Sequence, residues 1–117
     1  MIEEIMNLPS KIDITVGKDV WKLKFLRPKE KLQRTIVIAQ LLNLVPIESV
    51  SIEDHNRAFI FATLQLAYID GPAWFKDKLS EKFIDFPDEE YLLDIWSKYL
   101  QEESKFEEAK KKLRHPQ

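Results

Sequence analysis

Eight residues punctuate this chain, the two glycines Gly17 and Gly71 and the six prolines Pro9, Pro28, Pro46, Pro72, Pro87 and Pro116. So few breakers over 117 residues leave long uninterrupted runs, and all-β domains need many more turn residues than this. The spacing therefore predicts a mainly helical domain, with each Gly or Pro marking an element boundary. The length suits one domain with a single core. With hydrophobic residues at 44% and a net charge of only -2, the chain is far from the apolar-poor, highly charged composition that keeps a chain disordered.

Before the helices, Ile12, Ile14 and Val16 alternate with Lys11, Asp13 and Thr15. Gly17-Lys18-Asp19 interrupts, and a second alternation from Val20 to Phe25 places Trp21, Leu23 and Phe25 on one face. This pattern predicts a β-hairpin with one covered face. Pro28 then opens a helix reaching about Asn43. Its stripe of Leu32, Ile36, Ala39 and Leu42/Asn43, widened by Val37, Ile38 and Leu41, predicts apolar neighbours on more than one side and hence a central position. Leu44 to Val50 is expected to be a loop with aliphatic anchors.

Ser51-Ile52-Glu53-Asp54 has the form of a capping box. The helix it starts carries Ala58, Phe59, Phe61, Ala62, Leu64, Leu66, Ala67 and Ile69, nearly a full circle of apolar or small residues, which predicts the buried core helix. Asp70-Gly71-Pro72 should end it. Pro72 to Phe83 reads as a short helix, with Trp74, Phe75, Leu79 and Phe83 toward the core. From Asp88 to about Arg114 no breaker occurs, and Asp88, Glu89 and Glu90 suit the positive end of a helix dipole. Leu92, Ile95, Trp96, Tyr99 and Leu100 give this last helix a rich apolar stripe. Beyond Gln101 only Phe106, Ala109 and Leu113 interrupt a charged sequence, so that end can be helical without being packed, and Phe106 and Leu113 are expected to favour a partner. The fold expected is an N-terminal β-hairpin packed on a small bundle of about four helices with a long C-terminal helix. Its parts are an N-terminal segment with the hairpin (1–27), a helical core (28–100) and a charged helix end (101–117).

Chemistry is sparse. Ser51, Asp54 and His55 offer a triad's residue types, but neighbours on a helix point in different directions and no Gly-framed nucleophile turn is present. His115 lies in a terminal tail, the acidic sets read best as helix-start charge and solvated face, and the glycines form no phosphate-cradling loop. The chain is expected not to be an enzyme and to take no cofactor or metal. Basic and acidic residues nearly balance, 18 against 20, which disfavours nucleic acid. With no cysteine, no signal-peptide pattern and no apolar run long enough to span a bilayer, a cytoplasmic protein away from membranes is expected.

The stretch Ala62-Thr63-Leu64, then Ala67, then Ile69-Asp70-Gly71-Pro72-Ala73-Trp74-Phe75 resembles small tail assembly chaperones of tailed bacteriophages, in which a helix ends in an acidic-small-Pro turn followed by aromatics. Asp88-Glu89-Glu90, Tyr91, Tyr99 and Phe106 resemble the family's acidic start to a long helix, its Tyr-rich face and its terminal Phe. The likeness covers about residues 58 to 106. It departs from the pattern at Gly71, where an Ala-like residue is also expected.

The resemblance implies a protein partner, an apolar helical tail or tape-measure protein masked in the host cytoplasm before the tail tube polymerises. It implies Trp74, Phe75, Tyr99 and Phe106 as partner-binding residues. A homo-oligomer is compatible with it. Two alternatives stand beside it: a structural virion component of baseplate, neck or connector, and a small DNA-binding regulator using the helix, the Asp70-Gly71-Pro72 turn and the next helix as a helix-turn-helix.

Overall fold

The computed structural model describes residues 2–46, 48, 50–76, 83 and 85–115. In chain order it contains helix α1 (Ile2–Met6), strands β1 (Lys11–Val16) and β2 (Asp19–Lys24), helices α2 (Pro28–Leu42) and α3 (Ile52–Ala67), strand β3 (Tyr68–Asp70), helix α4 (Ala73–Lys76) and helix α5 (Glu89–Arg114). It is mainly helical, with the expected antiparallel hairpin at its N-terminal end and a long last helix. α1 was not foreseen from the sequence; none of its residues is buried.

The hairpin pairs Ile12 with Leu23 and Ile14 with Trp21. Gly17 supplies the left-handed backbone of the two-residue loop at φ 59°, a conformation that side chains with a Cβ resist. Alternation then decides the faces. Ile14, Val16, Trp21 and Leu23 are buried, while Lys11, Asp13, Thr15 and Lys22 are exposed.

α3 is the core helix anticipated from its composition, burying Ala58, Ile60, Phe61, Ala62, Thr63, Leu64 and Ala67. Its cap is the reciprocal one: the Asp54 N–H donates to Ser51 Oγ at 3.1 Å and the Ser51 N–H to Asp54 Oδ2 at 2.9 Å. Such a cap contributes about 1 kcal/mol. The helix ends earlier than the Asp70-Gly71-Pro72 signal implies. At Tyr68 the backbone turns extended, and Tyr68–Asp70 becomes a third strand, pairing antiparallel with β2. The reason is non-local: the free edge of β2 offers hydrogen bonds that one more helical turn would forgo.

α2 also departs from expectation. It packs on α3 along one side only: Leu41 is buried and Arg34, Val37, Ile38 and Leu42 are half-buried. Leu32 and Ile36 remain 72% and 61% exposed, so the helix is peripheral rather than central. Of the short helix expected over Pro72 to Phe83, Ala73–Lys76 is helical and Phe83 is buried; Leu79 lies outside the described residues.

α5, about 39 Å long at 1.5 Å per residue, is tied to the hairpin along its length. The Tyr91 hydroxyl donates to Asp19 Oδ2 at 2.6 Å, Lys98 Nζ to the Thr15 carbonyl at 2.9 Å, and the Tyr99 hydroxyl to the Lys24 carbonyl at 3.0 Å. The packing does not stop at Gln101. Phe106 stacks on Phe25 with ring centroids 4.7 Å apart, and Ala109, Lys110 and Leu113 are half-buried. The charge pattern leaves the packing of this end open; the structure packs it as far as residue 113, because Phe25, just past β2, reaches the extra turns. The long helix also accounts for the radius of gyration, 15.7 Å against roughly 13 Å for a compact chain of this length.

Candidate protein-interaction surface

The aromatic residues gather around Trp21. Its ring is 1% exposed and meets Tyr68, Trp74, Phe75 and Tyr91 at centroid separations of 6.0, 5.9, 4.8 and 6.5 Å. Its indole N–H donates to the Tyr91 hydroxyl at 2.9 Å, which relays to Asp19. Burial, then the bond to the Asp19 carboxylate, push the Tyr91 phenol well above its ordinary pKa. Burial does the same for Tyr99. The cluster leaves no space for a water molecule. It is packed core, and dense aromatic packing of this kind is worth more than its area alone.

This arrangement relocates the residues that the family resemblance singled out. Phe75 and Tyr99, 2% and 0% exposed, are sealed inside: Phe75 lies against Trp21 and stacks on Tyr68, and Tyr99 lies against Phe25 and stacks on Trp96. Neither has surface to present, because both sit on the side of the chain that faces the sheet. Trp74 is 36% exposed at the edge of the Trp21 cluster. Phe106 is half-buried, its ring between Phe25 and the Lys110 ammonium, which lies 4.5 Å above it. The four residues do not form one surface. The Ser51–Asp54 pair is the α3 cap, and His55 beside it is exposed.

Uncovered apolar surface lies elsewhere. On α2, the residues against α3 and the residues Leu32, Ile36, Ala39 and Asn43 occupy opposite sides of the helix, and all four of the latter are exposed. Their four-three-four spacing makes a straight seam of the kind one helix offers another. The stripe is legible in the sequence; that no described residue covers it is a property of the fold. A second seam, Leu93, Ser97, Leu100 and Ser104 on α5, has the same spacing and is also exposed, with Leu93 at 56% and Leu100 at 41%. Beside it Trp96 meets Phe59 edge-on at 5.8 Å. The Arg34 guanidinium lies 4.1 Å over the Phe59 ring and donates to Thr63 Oγ1 at 3.1 Å. Cation–π contact and hydrogen bond together fix that corner.

The N-terminal end of the α2 seam adjoins a cleft of about 440 Å³ lined by Lys11, Lys24, Arg27, Lys29, Glu30 and Gln33, among others. Lys11 and Lys24 face each other across the hairpin, a like-charge pairing that destabilises unless a counter-charge is present. Glu30 supplies one, its Oε2 lying 2.5 Å from Lys24 Nζ. Burial opposes ionisation of Glu30, but Lys24 and the Arg27 N–H outweigh it and hold the carboxyl below its ordinary range. Lys11, Arg27 and Lys29 have no ion-pair partner among the described residues, so the rim of the α2 seam is cationic.

A second cleft, about 290 Å³, lies between the end of α2 and Arg57, lined by Leu44, Val45, Pro46, Asp54, Arg57 and Phe83. Arg57 spans it, donating from Nε to the Phe83 carbonyl at 2.8 Å and pairing with Glu89. Among the described residues no group of three or more His, Asp or Glu side chains is placed to hold a metal ion, and no helix is long and apolar enough to cross a membrane. No protein-family model, curated protein or solved structure matches this chain.

Proposed function

We propose that this chain is a non-enzymatic interaction protein that shields an amphipathic helix of a tail or tape-measure-type protein before assembly, as tail assembly chaperones do, and that it works in the cytoplasm of the host. The observation that carries the reading is the outward seam of α2. Leu32 and Ile36 stand 72% and 61% exposed on a helix whose other side is packed, and contiguous apolar surface of this kind marks a binding face. A partner helix with its own apolar stripe fits such a seam by helix-on-helix packing. The resemblance over residues 58 to 106 supplies the kind of partner. Shielding is then physical: an apolar helix that would aggregate while waiting is covered reversibly.

Co-expression tests it. An apolar helical tape-measure protein produced with the wild-type chain should stay soluble, and produced with an Ile36→Asp variant should precipitate. Equal solubility with both chains removes the reading. Recovery of the chain in purified mature particles, measured by mass spectrometry, replaces it with the structural-component reading.

A further inference from the structure

The two exposed seams are matched to each other. α2 presents Leu32, Ile36, Ala39 and Asn43, and α5 presents Leu93, Ser97, Leu100 and Ser104, both in steps of four, three and four residues. Each places two large aliphatic side chains among small or short ones, which lets two helices approach closely and interdigitate. Their rims carry opposite charge. On the seam's own side of each helix, exposed Lys29 and Lys31 flank the α2 seam, while exposed Glu90 and Asp94 flank the α5 seam. Arg34, packed over Phe59, and Glu102, on the far side of α5, belong to neither rim. Within one molecule the seams cannot meet, since each faces outward from its own packed helix.

We infer that the α2 seam of one copy packs on the α5 seam of a second copy, so that the chain assembles head to tail. The inference rests on the reading of the α2 seam as a helix-docking face and names what occupies it before a heterologous partner arrives. Two different patches meet. Unless both pairs engage at once in a two-fold dimer, the contact leaves one seam of each kind free at the ends and repeats from copy to copy until it closes a ring or extends as a chain. A wild-type mass that stops at the dimer would refute the head-to-tail arrangement. A three-turn helix pair lies at the small end of protein interfaces. Each contact is therefore weak and exchangeable, as a face that must later receive another helix requires. Self-assembly and partner binding compete for the same residues.

Light scattering coupled to size exclusion, over a concentration series of the full chain, tests this with two variants, Ile36→Asp on the α2 seam and Leu93→Asp on the α5 seam. Both positions are more than half exposed, so circular dichroism and thermal midpoint should match wild type. Should either aspartate disturb folding, Ile36→Gln and Leu93→Gln remove the same contacts without adding charge. The wild-type mass is expected to climb past the dimer as concentration rises, and each variant alone to stay monomeric, its apparent dissociation constant raised by about tenfold or more. The equimolar mixture should form a one-to-one dimer and grow no further, because each variant retains the seam that the other lacks. Raising the ionic strength should weaken that dimer.

A wild-type chain that stays monomeric across the series overturns the inference. So does a variant that dimerises alone while the mixture gains nothing, which would mean that like seams pair. A monomeric wild type that still keeps the tape-measure protein soluble, and loses this ability on Ile36→Asp, refutes self-assembly and leaves the proposed function standing. The mixing result obtained with no effect on the tail protein separates the two in the other direction.

Discussion

Replacing Phe106 by Ala measures whether the last turns of α5 belong to the folded core. The ring is half-buried and stacked on Phe25, with centroids 4.7 Å apart and planes 21° from parallel. Phe→Ala at a fully buried site costs about 3–5 kcal/mol, and a ring exposed on one side forfeits about half of that, or roughly 2 kcal/mol. The unfolding entropy of a chain this size is about 0.25 kcal/mol per degree, so the thermal midpoint should fall by about 8 °C. Differential scanning calorimetry of the full chain gives the midpoint, and urea unfolding gives the free energy. Glu108→Ala, two residues away and exposed, is the control and should stay within about 0.5 kcal/mol. If Phe106→Ala shifts the midpoint no more than the control does, the contact with Phe25 carries no stability, and residues 101–115 behave as the unpacked helix that their charge pattern allows.

Tyr91→Phe leaves the buried Trp21 indole N–H without its acceptor and should cost about 1–3 kcal/mol, read as a lower urea midpoint with unchanged slope; an unchanged midpoint would show that the Trp21–Tyr91–Asp19 relay is energetically idle. Because Tyr91 and Tyr99 are held neutral, with folded pKa values raised above the ordinary one near 10, their contribution is fully present below about pH 10 and is lost as pH rises toward the folded values. Stability should therefore fall on alkaline titration, and Tyr99→Phe should blunt that fall; an alkaline limb identical in the variant contradicts the assignment. Glu30 acts in the opposite direction. Its folded pKa is depressed, so its contribution is present above about pH 4.3 and is lost as pH falls through the folded value, and a Glu30→Gln variant should show a shallower acid limb. Gly17→Ala forces a Cβ into a left-handed turn at φ 59° and should cost about 1 kcal/mol, measured as a thermal midpoint a few degrees lower.

Elements whose causes lie within a few residues were legible in the sequence. The hairpin register follows from alternation around Gly17, the start of α3 from the reciprocal Ser51–Asp54 cap, and the start of α5 from Asp88, whose carboxylate accepts from the Tyr91 N–H at 3.1 Å. The burial of α3 follows from apolar residues around nearly its whole circumference. The family resemblance, by contrast, pointed to Phe75 and Tyr99 as contact residues, and residue type alone cannot tell a ring that faces the sheet from one that faces a partner.

What the tertiary structure decided depends on groups far apart in the chain. α3 stops at Ala67 because the edge of β2, some forty-five residues earlier, offers Tyr68–Asp70 hydrogen bonds as a strand. Phe106 is packed because Phe25 lies within reach. Two apolar sides on α2 predict two neighbours, and only the packed structure says that α3 is one and that no described residue supplies the other. Periodicity specifies which residues share a face. Which face finds cover is settled by the competition of all elements for a limited amount of buried surface, and the seams left uncovered are where this protein's interactions are to be sought.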